Sequence, residues 1–117
     1  MKNILRQILD SYHNLKTISD KPGDLDIIKK EISRINGFIK VVLIKIDSDK
    51  IPASDFKIVK SKFKFYLDNY FFVKEIETMA PLYSNDVFRI KNMRLKVLES
   101  LEHRSMMEDV EELIEKI

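Results

Sequence analysis

The chain has 117 residues, of which 44% are hydrophobic, 34% are charged and none is cysteine. This composition predicts one globular domain or two very small ones, and it excludes disulfides, thiolate metal sites and cysteine nucleophiles. The N-terminus shows no secretory signal pattern, and no apolar run approaches the roughly 20 residues that a membrane helix needs, so we expect a soluble intracellular protein.

The net charge of +2 is unevenly distributed along the chain. Residues 1–55 carry ten basic and eight acidic residues, residues 56–98 carry nine and four, and residues 99–117 carry two and seven. The middle of the chain is suited to a polyanion or an acidic partner, whereas nucleic acid repels the C-terminal segment.

Two amphipathic helices are predicted in the first 50 residues, because apolar residues recur there at helical spacing on both sides of a Pro-Gly break at Pro22. The second helix carries an apolar stripe at alternating steps of four and three: Ile28, Ile32, Ile35, Ile39, Val42 and Ile46. Further apolar residues make this stripe too wide for one neighbouring helix to cover. We therefore predict that the stripe is a subunit interface in an intermolecular four-helix bundle, and the pattern alone leaves homodimer and heterodimer equally open.

Between residues 51 and 98 the spacing of apolar residues shortens towards every second residue, which favours strands. Three runs carry this pattern: Phe63 to Phe65, Tyr70 to Ile76, and Met93 to Val97. Asp68 and Asn69 can turn the chain between the first two runs. A sheet of this size has exposed edges, so we expect it to pair with strands of a partner.

The predicted fold class is α+β. A helical hairpin over residues 1–50, forming half of an intermolecular four-helix bundle, is followed by a small antiparallel β-sheet over residues 51–98, forming part of a shared β-barrel. Helical spacing returns after Leu98 and predicts an acidic C-terminal helix over residues 99–117.

The sequence contains no recognisable catalytic or metal-binding motif. Neither His13 nor His103 has a second histidine at metal-ligand spacing. Asp47 begins a stretch like a calcium loop, but Ile51 occupies a position where that loop needs a ligand. The chain has two glycines and no glycine-rich phosphate cradle. We predict no enzymatic activity, no cofactor, no metal and no small-molecule substrate.

Three segments match the motifs of one family in the same order. Residues 4–12 follow its first helix, residues 56–69 follow its phenylalanine-rich strands and their Asp-Asn turn, and residues 90–97 follow its last strand. On these residues the chain resembles the small (gamma) subunit of the general transcription factor IIA.

The resemblance implies a non-catalytic transcription initiation factor in the nucleus. It implies pairing with the large subunit of factor IIA, binding to the TATA-binding protein by strand-edge pairing, stabilisation of that protein on the promoter, and sequence-independent contact with the promoter DNA backbone. Phe63 stands where the family places a tyrosine near the TATA-binding protein, and Lys62 and Lys64 flank it. An alternating aromatic residue suits a buried core equally well, so both roles stay open for Phe63.

The alternative function is a homodimeric helical interaction module, or the small subunit of a nucleoprotein effector complex, in which the apparent strands are helical. A small helical enzyme that processes RNA or DNA is a third class. The content of helix and strand in a circular dichroism spectrum discriminates between the factor IIA resemblance and the helical alternatives.

Overall fold

A computed structural model describes the backbone of residues 1–48 and 53–117, with side chains described for residues 1–47 and 56–117. Within these ranges the chain forms six α-helices: α1 Lys2–Thr17, α2 Asp24–Ser48, α3 Ala53–Asn69, α4 Phe72–Tyr83, α5 Val87–Glu102 and α6 Met106–Lys116. A 3₁₀ turn, His103–Ser105, joins α5 to α6. The helices pack into an elongated bundle with extents of 47 × 22 × 22 Å. None of the described helices is long and apolar enough to cross a membrane.

The predicted α+β class is wrong, because 88% of the described residues are helical and none of them is in a strand. The sheet predicted over residues 51–98, and with it the shared β-barrel, is replaced by α3, α4 and most of α5; residues 51 and 52 lie outside the described residues. The buried residues of α3 recur at steps of three and four, which is the period of a helix: Phe56, Val59, Phe63 and Tyr66.

The expected turn at Asp68 and Asn69 lies beside a break between two helices rather than between two strands. The side chain of Asn69 donates a hydrogen bond of 2.8 Å to the carbonyl of Phe65, one turn earlier in α3. Beyond the break, Phe72 and Ile76 are both buried four residues apart, so the aromatic run continues with helical periodicity.

The stripe predicted as a subunit interface lies in the core of this chain. Five of its members are fully buried and the sixth is partly buried: Ile28, Ile32, Ile35, Ile39 and Val42 at 0% exposure, and Ile46. α2 packs against α1 on one side and against α3, α4 and α5 elsewhere, so helices of the same chain cover the wide apolar surface. A second chain is not needed to bury it.

The C-terminal helix is part of the same core. Residues 99–102 belong to α5, so the boundary predicted at residue 99 falls within a helix. α6 packs against α1, α3 and α5, and it buries four apolar side chains: Met106, Met107, Val110 and Leu113. Its acidic residues Glu108, Glu111, Glu112 and Glu115 are exposed. Their spacing places them on one face of the helix.

Candidate functional site

Phe71 lies in the break between α3 and α4, and it is 63% exposed. Hydrogen bonds hold the backbone on both sides of it. The N–H of Tyr70 donates to the carbonyl of Tyr66 at 3.1 Å, and the carbonyl of Phe71 accepts from the N–H of Glu75 at 3.1 Å. The break is thus the C-terminal turn of one helix followed directly by the first turn of the next, and it presents the Phe71 ring from an ordered backbone.

The two aromatic residues beside Phe71 are packed against other rings. The ring centroids of Tyr70 and Phe72 are 5.3 Å apart with an interplanar angle of 15°, and the ring centroids of Tyr70 and Tyr66 are 5.8 Å apart. No described aromatic ring pairs with Phe71. At the break, therefore, the Phe71 ring is exposed while the neighbouring rings of Tyr70 and Phe72 pack against each other.

A groove of about 380 Å³ runs beside Phe71, between α2 and the α3–α4 break. We call it the Phe71 groove and define it by its lining residues: Asn36, Lys40, Leu67, Tyr70, Phe71, Val73, Lys74 and Glu77. Its volume falls in the range of roughly 300–1,000 Å³ that is typical of ligand-binding clefts. The side-chain oxygen of Asn36 is buried there and has no hydrogen-bond partner among the described residues.

The lysines of this groove are available for an external anion. Lys40 and Lys74 are both exposed, and neither forms an ion pair with a described carboxylate. The one carboxylate that lines the groove, Glu77, lies 3.2 Å from the ammonium group of Lys29. The groove therefore has an excess of positive charge close to an exposed aromatic ring.

The positive surface extends along α3. Lys60 donates a hydrogen bond of 2.7 Å to Asp47, and this bond, assisted by the nearby charge of Lys64, lowers the pKa of the Asp47 carboxyl below its ordinary value. Lys64 is exposed and has no described carboxylate partner. Lys64 precedes the groove-lining residue Leu67 by three residues, so the two lie on the same face of α3.

The three contact residues predicted from the sequence occupy different environments. Phe63 is fully buried in the core. Lys62 is 21% exposed, pairs with Asp109 of α6 and donates a hydrogen bond to the carbonyl of Arg104, so it ties α3 to the last two elements. Lys64 remains on the surface.

Sequence reasoning missed Phe71, Lys40 and Lys74 as site residues. Helical periodicity could have identified Phe71. The buried positions of α4 include Phe72 and Ile76, so Phe71, which precedes Phe72, points away from the core. The excess of basic residues over positions 56–98 indicated a polyanion but gave no reason to add Lys40, which comes from α2.

Phe71 also borders a second groove of about 370 Å³, between α4 and α5, with Met79 and Met93 among its lining residues. The charged residues there include Lys96 and Glu75, whose side chains are 3.4 Å apart. Lys74 lines this groove as well, so it contains one lysine without a described carboxylate partner, whereas the Phe71 groove contains two.

The described residues contain no group of three or more His, Cys, Asp or Glu side chains that can hold a metal ion. The His103 ring is stacked on Phe65 with centroids 5.6 Å apart, and His103 takes part in none of the described ion pairs.

No family model, no curated protein sequence and no solved structure matches the chain. What the Phe71 groove can bind therefore follows from its own side chains.

Proposed function

We propose that the chain is a non-catalytic helical subunit of a nucleoprotein assembly and that its lysines around the Phe71 groove bind nucleic-acid phosphates. The observation that carries this proposal is the pair Lys40 and Lys74, which are exposed, lack described carboxylate partners and line one groove with the exposed Phe71. This function corresponds to the helical alternative that the sequence left open.

Charge complementarity supports a polyanion as the ligand. Lys40, Lys64 and Lys74 supply three ammonium groups on the α2–α3–α4 side, whereas the exposed carboxylates of α6 are on a helix that does not line the groove. Each phosphate that a lysine neutralises releases condensed counterions, which favours binding at low salt. The same separation of charge favours an orientation in which α6 faces away from the nucleic acid.

The chemistry of the groove supports binding rather than catalysis. Its lining contains no His, Ser, Thr or Asp, and its one carboxylate is close to Lys29. The side chains of Lys40, Tyr70 and Lys74 form none of the described side-chain hydrogen bonds, so no described partner activates them as a base or a nucleophile.

The contact proposed here does not use a sheet edge. The factor IIA resemblance implied strand pairing with the TATA-binding protein, and the described residues contain no strand that can accept such a partner. Lysine contacts to phosphate are insensitive to base sequence, so we expect similar affinity for oligonucleotides of different sequence.

Fluorescence anisotropy with a labelled 12-nucleotide strand, from about 50 to 200 mM salt, tests the proposal. Replacing both Lys40 and Lys74 by Gln should weaken binding and reduce the slope of log K against log salt by about 1.4, because each lost phosphate contact to a single strand contributes about 0.7.

The matched control is Lys30→Gln, since Lys30 is an exposed lysine on the same helix as Lys40, about 15 Å away by the rise of an α-helix. It should keep the original slope. Absence of measurable binding, or an unchanged slope in the double variant, would contradict the proposed function.

A further inference from the structure

We infer that the Phe71 groove takes single-stranded nucleic acid and that an unpaired base stacks on the Phe71 ring; this inference rests on the function proposed above. It specifies single-stranded rather than duplex nucleic acid as the ligand, and it assigns a binding role to Phe71 and to the buried side-chain oxygen of Asn36.

The Phe71 ring is placed to stack on a base. It is 63% exposed, lies between two helices whose ends are hydrogen-bonded, and has no described aromatic partner. Base–aromatic stacking needs an accessible ring held by an ordered backbone next to positive charge, and Lys74 follows Phe71 by three residues at the start of α4. In a duplex the base faces are stacked on one another, so this ring can stack on a base of a single strand but not on one within a duplex.

Asn36 lines the same groove, and its side-chain oxygen is buried without a hydrogen-bond donor among the described residues. A buried acceptor without a donor is unfavourable, and nucleobases carry amino and imino N–H groups that are free to donate when the base is unpaired. A base that occupies the groove supplies this donor on rotation of the Asn36 side chain towards it, whereas a duplex contacted at its phosphates does not.

The aromatic ring beside the lysines distinguishes nucleic acid from an acidic polypeptide as the ligand. Both would be attracted by Lys40 and Lys74, but an acidic helix presents carboxylates and flexible aliphatic chains rather than planar rings. The aromatic residue beside the lysines favours a ligand that combines negative charge with flat rings.

The chain has no tryptophan, so Phe71→Trp introduces a single fluorescent reporter at the stacking position. Titration with an unlabelled 12-nucleotide single strand should quench this tryptophan, whereas the 12-base-pair duplex of the same sequence should not. Phe88→Trp is the matched control, because Phe88 is also highly exposed, at 72%, and is absent from the groove lining. Its fluorescence should change little with either ligand.

Anisotropy supplies a second readout through Phe71→Ala. We expect this variant to bind the single strand roughly tenfold more weakly, which is within the range found for loss of one base stack, and to keep its affinity for the duplex within about twofold. Phe88→Ala should behave as the unmodified chain does. Asn36→Leu should also weaken single-strand binding more than duplex binding.

The outcomes separate this inference from the proposed function. Equal binding of single strand and duplex, unaffected by Phe71→Ala but weakened by the lysine changes, would overturn the inference and leave the proposed function standing. No binding of either nucleic acid would overturn both. If poly-glutamate displaces the labelled strand at lower concentration than an unlabelled strand does, the ligand is an acidic polypeptide and the inference is again overturned.

Discussion

Arg94 and Asp20 form a bidentate, largely buried ion pair that joins α5 to the turn between α1 and α2. The distances are 2.7 Å from Nε to Oδ1 and 2.9 Å from Nη2 to Oδ2, and the side chains are 13% and 10% exposed. The hydrogen bond to Asp20 raises the pKa of Arg94 above its ordinary value. Arg94 also donates a hydrogen bond of 3.5 Å to the carbonyl of Leu15. Its side chain therefore connects α5 both to the end of α1 and to the turn that follows α1.

Removing the arginine should be costly because it leaves a buried carboxylate without its partner. We expect Arg94→Leu to reduce the free energy of unfolding by about 3–5 kcal/mol in urea titrations. Adding Asp20→Asn should recover part of this loss, since Asn removes the unpaired charge and tolerates the positive φ of 60° at this position.

The control for Arg94→Leu is the same change at an exposed arginine. Arg89 is 52% exposed and lies 3.5 Å from Asp86, and such surface pairs contribute about 1 kcal/mol or less. Arg89→Leu should therefore have a much smaller effect than Arg94→Leu. Equal losses in the two variants would mean that burial of the Arg94–Asp20 pair is not what determines its contribution.

The buried position of Phe63 can be tested by comparing it with an exposed phenylalanine. Phe63 is 0% exposed and Phe88 is 72% exposed, so the same change to alanine is made in the core and on the surface. Phe63→Ala should lower the free energy of unfolding by about 3–5 kcal/mol. Phe88→Ala should change it by about 0.5 kcal/mol or less, as measured by the same urea titration. A mild effect of Phe63→Ala would place the side chain outside the packed core.

The helices of residues 1–48 could be predicted because their apolar stripe repeats over several turns, as it does from Ile28 to Ile46. The strand prediction failed at Phe63 and Phe65, where two aromatic residues alternate with lysines over too few positions to distinguish a period of two from one of 3.6. Phe63 is fully buried and Phe65 is 38% exposed. In the longer run from Phe56 to Tyr66, the spacing of buried residues is helical.

The candidate site was harder to predict, because the residues that line it are distant in sequence. Asn36 and Lys40 come from α2, whereas Phe71 and Lys74 come from the α3–α4 break and α4. Only the packing of α2 against these elements brings them together. The width of the stripe on α2 correctly indicated that more helices must cover it, but periodicity alone could not tell whether those helices belong to this chain or to a partner.

The contribution of α6 to the core can be measured without deleting it. Leu113 is 2% exposed and its neighbour Glu112 is exposed, so Leu113→Ala and Glu112→Ala change one buried and one exposed position of the same helix. We expect Leu113→Ala to cost about 2–5 kcal/mol of unfolding free energy. Glu112→Ala should stay within about 0.5 kcal/mol of the original chain. Deletion of residues 103–117 should then abolish cooperative unfolding, whereas full retention of stability would show that α6 is dispensable.

The buried Tyr66 predicts that stability falls at alkaline pH. Tyr66 is 2% exposed, and burial raises the pKa of its hydroxyl above the ordinary value of about 10. Above that pH the unfolded chain releases this proton while the folded chain keeps it, so the unfolding free energy should decrease by up to about 1.4 kcal/mol per pH unit until the folded-state pKa is reached. Below the ordinary pKa this contribution to stability is fully present.

Tyr66→Phe removes the titrating group. Urea titrations from pH 8 to 11 should therefore show a smaller loss of unfolding free energy for this variant than for the unmodified chain. Tyr83→Phe is the matched control, because Tyr83 is partly exposed. Parallel pH profiles for the unmodified chain and Tyr66→Phe would mean that the Tyr66 hydroxyl ionises equally readily in the folded and unfolded states.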